Sequence, residues 1–379
     1  MAVDDLHLKY APVMRFSRGE RFFPMSLEDF LSYSALYVKD QVAPLVARGK
    51  VIPDDLSATF NRQTVFLRSV SAGSLHGVEM ASEWGEAANQ LLYKWSKNPL
   101  LTWSEEMARS AYDWFSAKTA PATKLFWWNG LLAAHQDKPG GVRAELPRFM
   151  LPLSVRDSAI ENYQASQGLA PNYSYYYRTV QQGGLLDLQY WFFYSYNDWA
   201  GGYGGFNDHE GDWEGLHVFF KLDGNRPLEP PAHVCYLGHH SRLTKPWDHP
   251  EVEKVGTHPV VYVAAGSHAS YPVARQYPLM QIYNLIDYAT GESLTLDHSQ
   301  WRSRIDLERV PWLLTYLGSW GTRYWLSLAW LHKTLGALVP SIAREVDMPG
   351  VSAPRGPRFN DEGGERETWG SPVAFAGLA

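Results

Sequence analysis

The segment from Tyr190 to Phe220 restricts the fold more than any other part of the chain. Tyr190-Trp191-Phe192-Phe193-Tyr194-Ser195-Tyr196, aromatic at six of seven positions, is a run of the kind that forms a β-strand. It ends at Asn197-Asp198 and enters Gly201-Gly202-Tyr203-Gly204-Gly205, where four glycines in five positions predict a tight or flexible turn. The chain then delivers Asp208-His209-Glu210-Gly211-Asp212-Trp213-Glu214 into a second strand, Leu216-His217-Val218-Phe219-Phe220. A strand pair with so many charged residues at its loop end must find a use for that charge.

The texture on either side extends the β reading. Tyr173 to Tyr177, Ala232 to Leu237 and Pro259 to Ala265 are short apolar runs between Gly, Pro and Asp clusters, as in a β-sandwich. Tyr10-Ala11-Pro12-Val13-Met14-Arg15-Phe16 reads as an edge strand because of its proline. Ser26 is placed to cap a short helix over 26–31. Two longer stretches have helical spacing. One covers 78–137, with Val78, Ala81, Trp84, Ala88, Leu91, Leu92 and Trp95 on one face and a break at Asn98-Pro99. The other covers 322–346, with Trp325, Leu328, Leu331 and Leu335 in a stripe. The expected class is α+β: one domain over 1–379, a central antiparallel β-sandwich within 173–300, a helical insertion at 78–137 and a helical segment at 322–346.

Composition excludes several functions. The formal net charge is -6 and no basic stripe stands out, so a nucleic-acid partner is not expected. There is one cysteine, Cys235, which rules out an intrachain disulfide and a zinc site with two cysteine ligands. It lies in the apolar run Val234-Cys235-Tyr236-Leu237 and reads as a buried strand residue rather than a nucleophile. No basic leader followed by an apolar stretch is visible, and no apolar run is long enough to span a membrane, so a cytoplasmic location is the default expectation. The 16 Trp, 22 Tyr and 16 Phe fit a thick aromatic core, and also an aromatic-lined pocket for a sugar or apolar ligand.

Period-two geometry puts Asp212 and Glu214 on one face of their strand. Two carboxylates there repel and lose solvation unless something positive joins them. A divalent cation is the simplest answer, with His209 closing from the loop and Asp198 facing it from the preceding strand. Three carboxylates and an imidazole suit Ca²⁺, Mg²⁺ or Mn²⁺, and suit Zn²⁺ less. The alternative is a hydrogen-bonded acidic turn without metal. His217 falls on the opposite face and reads as packed, while Asp208 and Glu210 read as exposed loop charges. A second cluster holds His239, His240 and the turn Gly266-Ser267-His268, where a histidine can serve as acid, base or ligand. Ser267 beside His268 makes no triad, because adjacent residues seldom meet in the required geometry.

The residues Tyr10-Ala11-Pro12, Glu20, Phe23-Pro24, Tyr196-Asn197 and His209-Glu210-Gly211-Asp212-Trp213-Glu214 resemble the vacuolar protein sorting-associated protein 62 family. So do His258-Pro259-Val260-Val261-Tyr262, Gly266-Ser267-His268-Ala269-Ser270-Tyr271, Trp320-Gly321 and Gly356-Pro357. The central motif is also similar to the Gly-His-Arg-His-Asp-Trp-Glu heptapeptide of necrosis- and ethylene-inducing toxin-like proteins. That second resemblance implies a β-sandwich whose metal ion is held by Asp, His, Asp and Glu. It maps His209, Asp212 and Glu214 onto ligand positions, with Asp198 as the upstream aspartate across a longer glycine loop. Those toxins are secreted and disulfide-bearing, so a toxin function is not carried over.

Three functions are therefore in play. The first is a metal-binding module for a polar or anionic headgroup, such as a glycolipid, phospholipid or glycan, with peripheral membrane contact allowed for. The second is a metal-dependent hydrolase or lyase in which His268 or Glu210 moves the proton. The third is a trafficking or interaction scaffold without metal.

Overall fold

The strand Leu185–Asn197 is buried on both faces along almost its whole length, which explains why its stretch from Tyr190 to Tyr196 is aromatic at all but Ser195 rather than alternating. One face meets a second sheet and the other meets helices. The computed structural model that establishes this describes residues 5–39, 41–58, 64–71, 153–199, 208–238, 241–280, 285–322, 353–360 and 363–379. The helices expected over 78–137, the glycine turn at 201–205, His239, His240 and the stripe from Trp325 onward lie outside the described residues.

The larger sheet has seven strands, ordered Ser303–Asp306, Ser174–Gln182, Leu185–Asn197, His209–Asp223, His233–Gly238 and Ser241–Pro246, with Arg226–Pro227 paired onto His209–Asp223. The smaller sheet has five strands, ordered Lys254–Val255, His258–Val263, Val13–Phe16 and Thr295–Leu296, with Ser270–Tyr271 paired onto His258–Val263. Tyr190, Phe192, Leu216, Val218 and Phe220 of the larger sheet share one core with Met14, Phe16, Val261, Val263 and Leu296 of the smaller. This gives the face-to-face arrangement of a sandwich. Trp191, Phe193, Trp213 and Phe219 point the other way, into a core closed by Val155, Ala159 and Tyr163 of the helix Leu153–Gln167 and by Trp369 and Val373 near the C-terminus.

Three sequence expectations change. The sandwich is mixed rather than antiparallel, since Val13–Phe16 runs parallel to His258–Val263 and Ser303–Asp306 runs parallel to Ser174–Gln182. Val13–Phe16 is also an inner strand, with partners on both sides, and Pro12 sits just before it, where no ladder bond is lost. The β core therefore extends beyond 173–300 at both ends, through Val13–Phe16 and Ser303–Asp306. Two local readings match: Ser26 caps the helix Leu27–Leu31 by accepting from the Asp29 N–H at 3.1 Å, and Cys235 lies fully buried in its strand. No helix among the described residues is long and apolar enough to cross a membrane.

Candidate functional site

The candidate site forms where the two longest strands leave the core. Their register sets Tyr194 opposite Asp212, Phe192 opposite Glu214 and Asn197 opposite His209. A regular strand would put Glu210, Asp212 and Glu214 on one face. Gly211 breaks that rule with φ +60, and a Cβ there would lie 2.5 Å from the Trp320 carbonyl oxygen. Glu210 is thereby turned toward the helical side, where its Oε1 accepts from the Ser69 N–H (2.6 Å), the Ser69 hydroxyl (2.8 Å) and the Val70 N–H (3.1 Å). Its Oε2 accepts from the Thr322 N–H at 3.0 Å. Asp212 and Glu214 keep the opposite face.

Asp212 is the centre of the charged cluster. Its Oδ2 accepts from Asn197 Nδ2 at 3.0 Å and from His268 Nδ1 at 2.9 Å. Its Oδ1 accepts from the Trp213 N–H at 3.1 Å and lies 3.6 Å from His209 Nε2. The far nitrogen of His268, Nε2, lies 3.4 Å from Glu20 Oε1. Glu20 is fixed in turn by the N–H groups of Arg21 and Phe22 on Oε1 and of Gly266 on Oε2. His268 is fully buried, stacks on Tyr194 with ring centroids 3.8 Å apart, and holds φ 57, which is the left-handed region costly for a side chain with a Cβ. Among the described residues it alone, glycines aside, has a positive φ.

The electrostatics follow from this geometry. Burial opposes a charge on His268, but the Glu20 and Asp212 carboxylates outweigh it and push its pKa up to about 9. Burial also opposes ionisation of Asp212, yet His209 and His268 hold its carboxyl well below the usual range. Glu20 is held low in the same way, against burial, by His268 and by backbone N–H groups. Glu214 is the exception. Burial first, then the nearby Asp212 and Asp287 carboxylates, drive its pKa far up. It is 8% exposed, and its carboxyl makes no hydrogen bond among the described residues. The Tyr194 hydroxyl and Asn197 Oδ1, both buried, also lack partners there.

The wall behind the cluster is tied by Asp287. It accepts from Trp199 Nε1 (2.7 Å), Ser267 Oγ (2.9 Å) and the Tyr271 hydroxyl (2.8 Å). Those bonds join the segment after Asp198 to the turn that carries His268. The two segments touch so closely that a Cβ on Gly266 would sit 1.7 Å from the Asp198 carbonyl oxygen.

The structure thus gathers Asp198, His209, Asp212, Glu214 and His268 at one end of the sandwich. Asp198 is paired there with Arg21, Nη1 to Oδ2 at 2.6 Å. Among the described residues, no three His, Cys, Asp or Glu side chains stand close enough together to hold an ion in this arrangement. Glu210 lies apart from the cluster. It and Asp208 are buried rather than exposed, because the strand begins at His209 and not at Asp212. His217 is packed on the opposite face as expected, with Nδ1 3.0 Å from Asp187. Sequence reasoning missed the roles of Arg21 and Asp287, which no local motif marks, and it met Glu20 and Asn197 as residues of a family resemblance without a role at the site.

No protein-family model matches the chain, and no curated protein matches it. The resemblance to the vacuolar protein sorting-associated protein 62 family therefore has no support beyond the residues quoted for it. Solved structures with a weak likeness are necrosis- and ethylene-inducing proteins, whose heptapeptide the central motif resembles. Necrosis and Ethylene inducing Protein 2 from the causal agent of cocoa's Witches Broom disease is 19% identical over 36% of this chain and 52% of its own, with a TM-score of 0.24. NLPPya in complex with mannosamine is 10% identical over 54% of this chain and 67% of its own, with a TM-score of 0.26. NLPPya in complex with glucosamine gives 9% over 48% and 62%, with a TM-score of 0.24. The chain spans about half the length of the first of these proteins. TM-scores this low carry neither fold nor ligand across.

Proposed function

We propose that this protein binds one divalent cation at the Asp212–Glu214 face and, through it, a polar or anionic headgroup. The observation that carries the reading is Glu214: a buried carboxyl with no hydrogen bond among the described residues, beside a second carboxylate that is held ionised. Such a group is costly unless a proton or a cation joins it. With Glu214 ionised, the carboxylates of Glu20, Asp198, Asp212, Glu214 and Asp287 outnumber the cations Arg21, His268 and Arg366 around it. A divalent ion would offset that excess.

The donor types present suit a hard cation, although their side chains would have to shift to surround one. Asp212 Oδ2 is taken by Asn197 and His268, and Oδ1, which accepts from the Trp213 N–H and lies 3.6 Å from His209 Nε2, would be its donor oxygen. Asn197 Oδ1 and the Tyr194 hydroxyl add oxygens without partners among the described residues. The ligands would be Asp212, Glu214, His209 and Asp198, after His209 turns and Asp198 leaves Arg21. Oxygen-rich sites of this kind suit Ca²⁺, Mg²⁺ or Mn²⁺. Bound there, the ion supplies a point of positive charge that can coordinate oxygen atoms of a ligand. His268 then acts as a support for Asp212, since both of its nitrogens face carboxylates and none of it reaches solvent.

Metal content of the purified protein, measured beside Asp212→Ala and Glu214→Gln, tests the reading. One equivalent of a divalent ion in the parent and its loss in both variants is the expected result. No ion in the parent after incubation with Ca²⁺, Mg²⁺ and Mn²⁺ would leave an acidic turn stabilised by protonation alone.

A further inference from the structure

We propose that Cys235 is a latent nucleophile for exchange with a small disulfide, with His217 as its base and the segment Arg366–Leu378 as the gate that closes over it. The site lies on the face opposite Asp212 and Glu214 and is independent of the metal reading. Its parts form one row of side chains across the larger sheet: Gln189 stands opposite His217, His217 opposite Cys235 and Cys235 opposite Thr244. Residues directly opposite on antiparallel strands share a face, with Cβ atoms about 4.5 to 5.5 Å apart.

Asp187 fixes the histidine. Its Oδ2 accepts from Gln189 Nε2 at 2.7 Å and lies 3.0 Å from His217 Nδ1. A carboxylate in that place keeps the proton on Nδ1 and leaves Nε2 as a lone pair. His217 is 1% exposed, and Nε2 has no hydrogen-bond partner among the described residues. Asp187 lies on the strand at one flank of His217 and Cys235 on the strand at the other, so a ring that turns Nδ1 to Asp187 directs Nε2 to the Cys235 flank. A buried base with nothing to accept from thus stands beside the one thiol of the chain. Burial pushes that thiol up to about 11, against a hydrogen bond with Thr244, so in the closed state it is inert.

The gate is what buries it. Trp369, Val373 and Ala376 share a core with Trp191, Phe219 and Cys235. Thr244, the neighbour of the thiol, donates to the Ala376 carbonyl at 2.8 Å, Arg242 Nη1 donates to the Phe375 carbonyl at 3.0 Å, and Gln182 Oε1 accepts from the Val373 N–H at 3.2 Å. The two helices of the segment, Glu367–Gly370 and Pro372–Phe375, have four residues each, and among the described residues no backbone-to-backbone hydrogen bond joins them to the sheet. A segment held by a few side chains opens locally while the rest stays folded. Opening returns the thiol to solvent beside His217. Nε2 then takes the Cys235 proton as the sulfur attacks one sulfur of the disulfide. The new S–S bond forms as the old one breaks, and the departing thiolate recovers the proton from Nε2, which leaves a mixed disulfide on Cys235 and one free thiol.

Reaction of the full chain with dithiobis(nitrobenzoate), itself a small disulfide, tests the assignment. The chain has one cysteine, so the thionitrobenzoate released reports Cys235 alone. Trp369→Ala removes an apolar anchor of the gate and should raise the rate at pH 7 about tenfold or more over the parent, with an unchanged far-ultraviolet circular dichroism spectrum. Adding His217→Gln should remove most of that gain and move the pH midpoint of the rate up toward that of an ordinary thiol, about 8.5. Exposure without a base would give the gain and no such shift. If Trp369→Ala does not fold, Val373→Ala takes its place. A gate variant that reacts no faster than the parent overturns the gate, and a rate and pH profile unmoved by His217→Gln overturn the base. A gate variant that reacts as fast as the chain unfolded in urea has opened throughout, and that result overturns both.

Discussion

Glu214→Gln should stabilise the metal-free protein while it weakens metal binding, an opposite pair of effects that few substitutions produce. The carboxyl has an ordinary pKa of 4.5 and is raised well above it in the folded protein, by burial and then by Asp212 and Asp287. The folded state therefore binds this proton more tightly than the unfolded state. Stability from the group is complete below about pH 4.5 and falls by about 1.4 kcal/mol per pH unit above it, until the folded pKa is passed. At pH 7 the deficit reaches at most about 3 kcal/mol, from the 2.5-unit interval above 4.5. Gln keeps the shape of the protonated acid and does not titrate, so the variant should recover up to that amount. Urea denaturation in EDTA at pH 5 and pH 7, followed by tryptophan fluorescence, measures it. The parent should lose stability between the two pH values more steeply than the variant. With saturating Ca²⁺ the order should reverse, because only the parent gains the binding free energy. A variant no more stable than the parent at pH 7 in EDTA, with an unchanged pH slope, would refute the account of Glu214 as an uncompensated buried acid.

Other substitutions probe the frame around it. In the metal-free protein, His268 has its pKa raised from 6.5 to about 9, so its contribution is complete below about pH 6.5 and lost as pH rises through 9. That contribution is worth about 3 kcal/mol, and denaturation at pH 7 and pH 10 should show the loss in the parent but not in His268→Gln. Glu210→Ala leaves the N–H groups of Ser69, Val70 and Thr322 without their acceptor and should cost about 3 kcal/mol or more, read as a lower thermal midpoint. Gly266→Ala places a Cβ 1.7 Å from the Asp198 carbonyl oxygen and should separate the two loops, seen as a sharp loss of folded yield.

Much of the site was legible in the sequence because it lies on one stretch of chain. The alternation of Asp212 and Glu214 put two carboxylates on one strand face, and their repulsion followed from elementary electrostatics. His217 was assigned to the far face by the same alternation, and it is there. The same alternation carried back to Glu210 would fail, because Gly211 reverses it within one residue. Exposure was misjudged at Asp208 and Glu210 for a related reason: a charged residue in a local pattern reads as solvated unless its distant partners are known. For Glu210 those partners are Ser69, Val70 and Thr322, remote in sequence and adjacent only in the fold.

The sequence by itself determined that the chain builds a β-rich core with an acidic, histidine-bearing strand end. Aromatic runs must be buried, and Asp, His and Glu at fixed spacing along a strand must share faces, whatever surrounds them. Only the tertiary structure decided which charges meet. Glu20 and Arg21 come from the N-terminal segment, Asn197 and Asp198 from the end of one strand, Asp212 and Glu214 from the next, and His268 from a turn between two strands of the smaller sheet. Coulomb energies and hydrogen bonds depend on distances of a few ångströms. Chain separations of 50 to 250 residues fix none of those distances until two sheets have packed face to face.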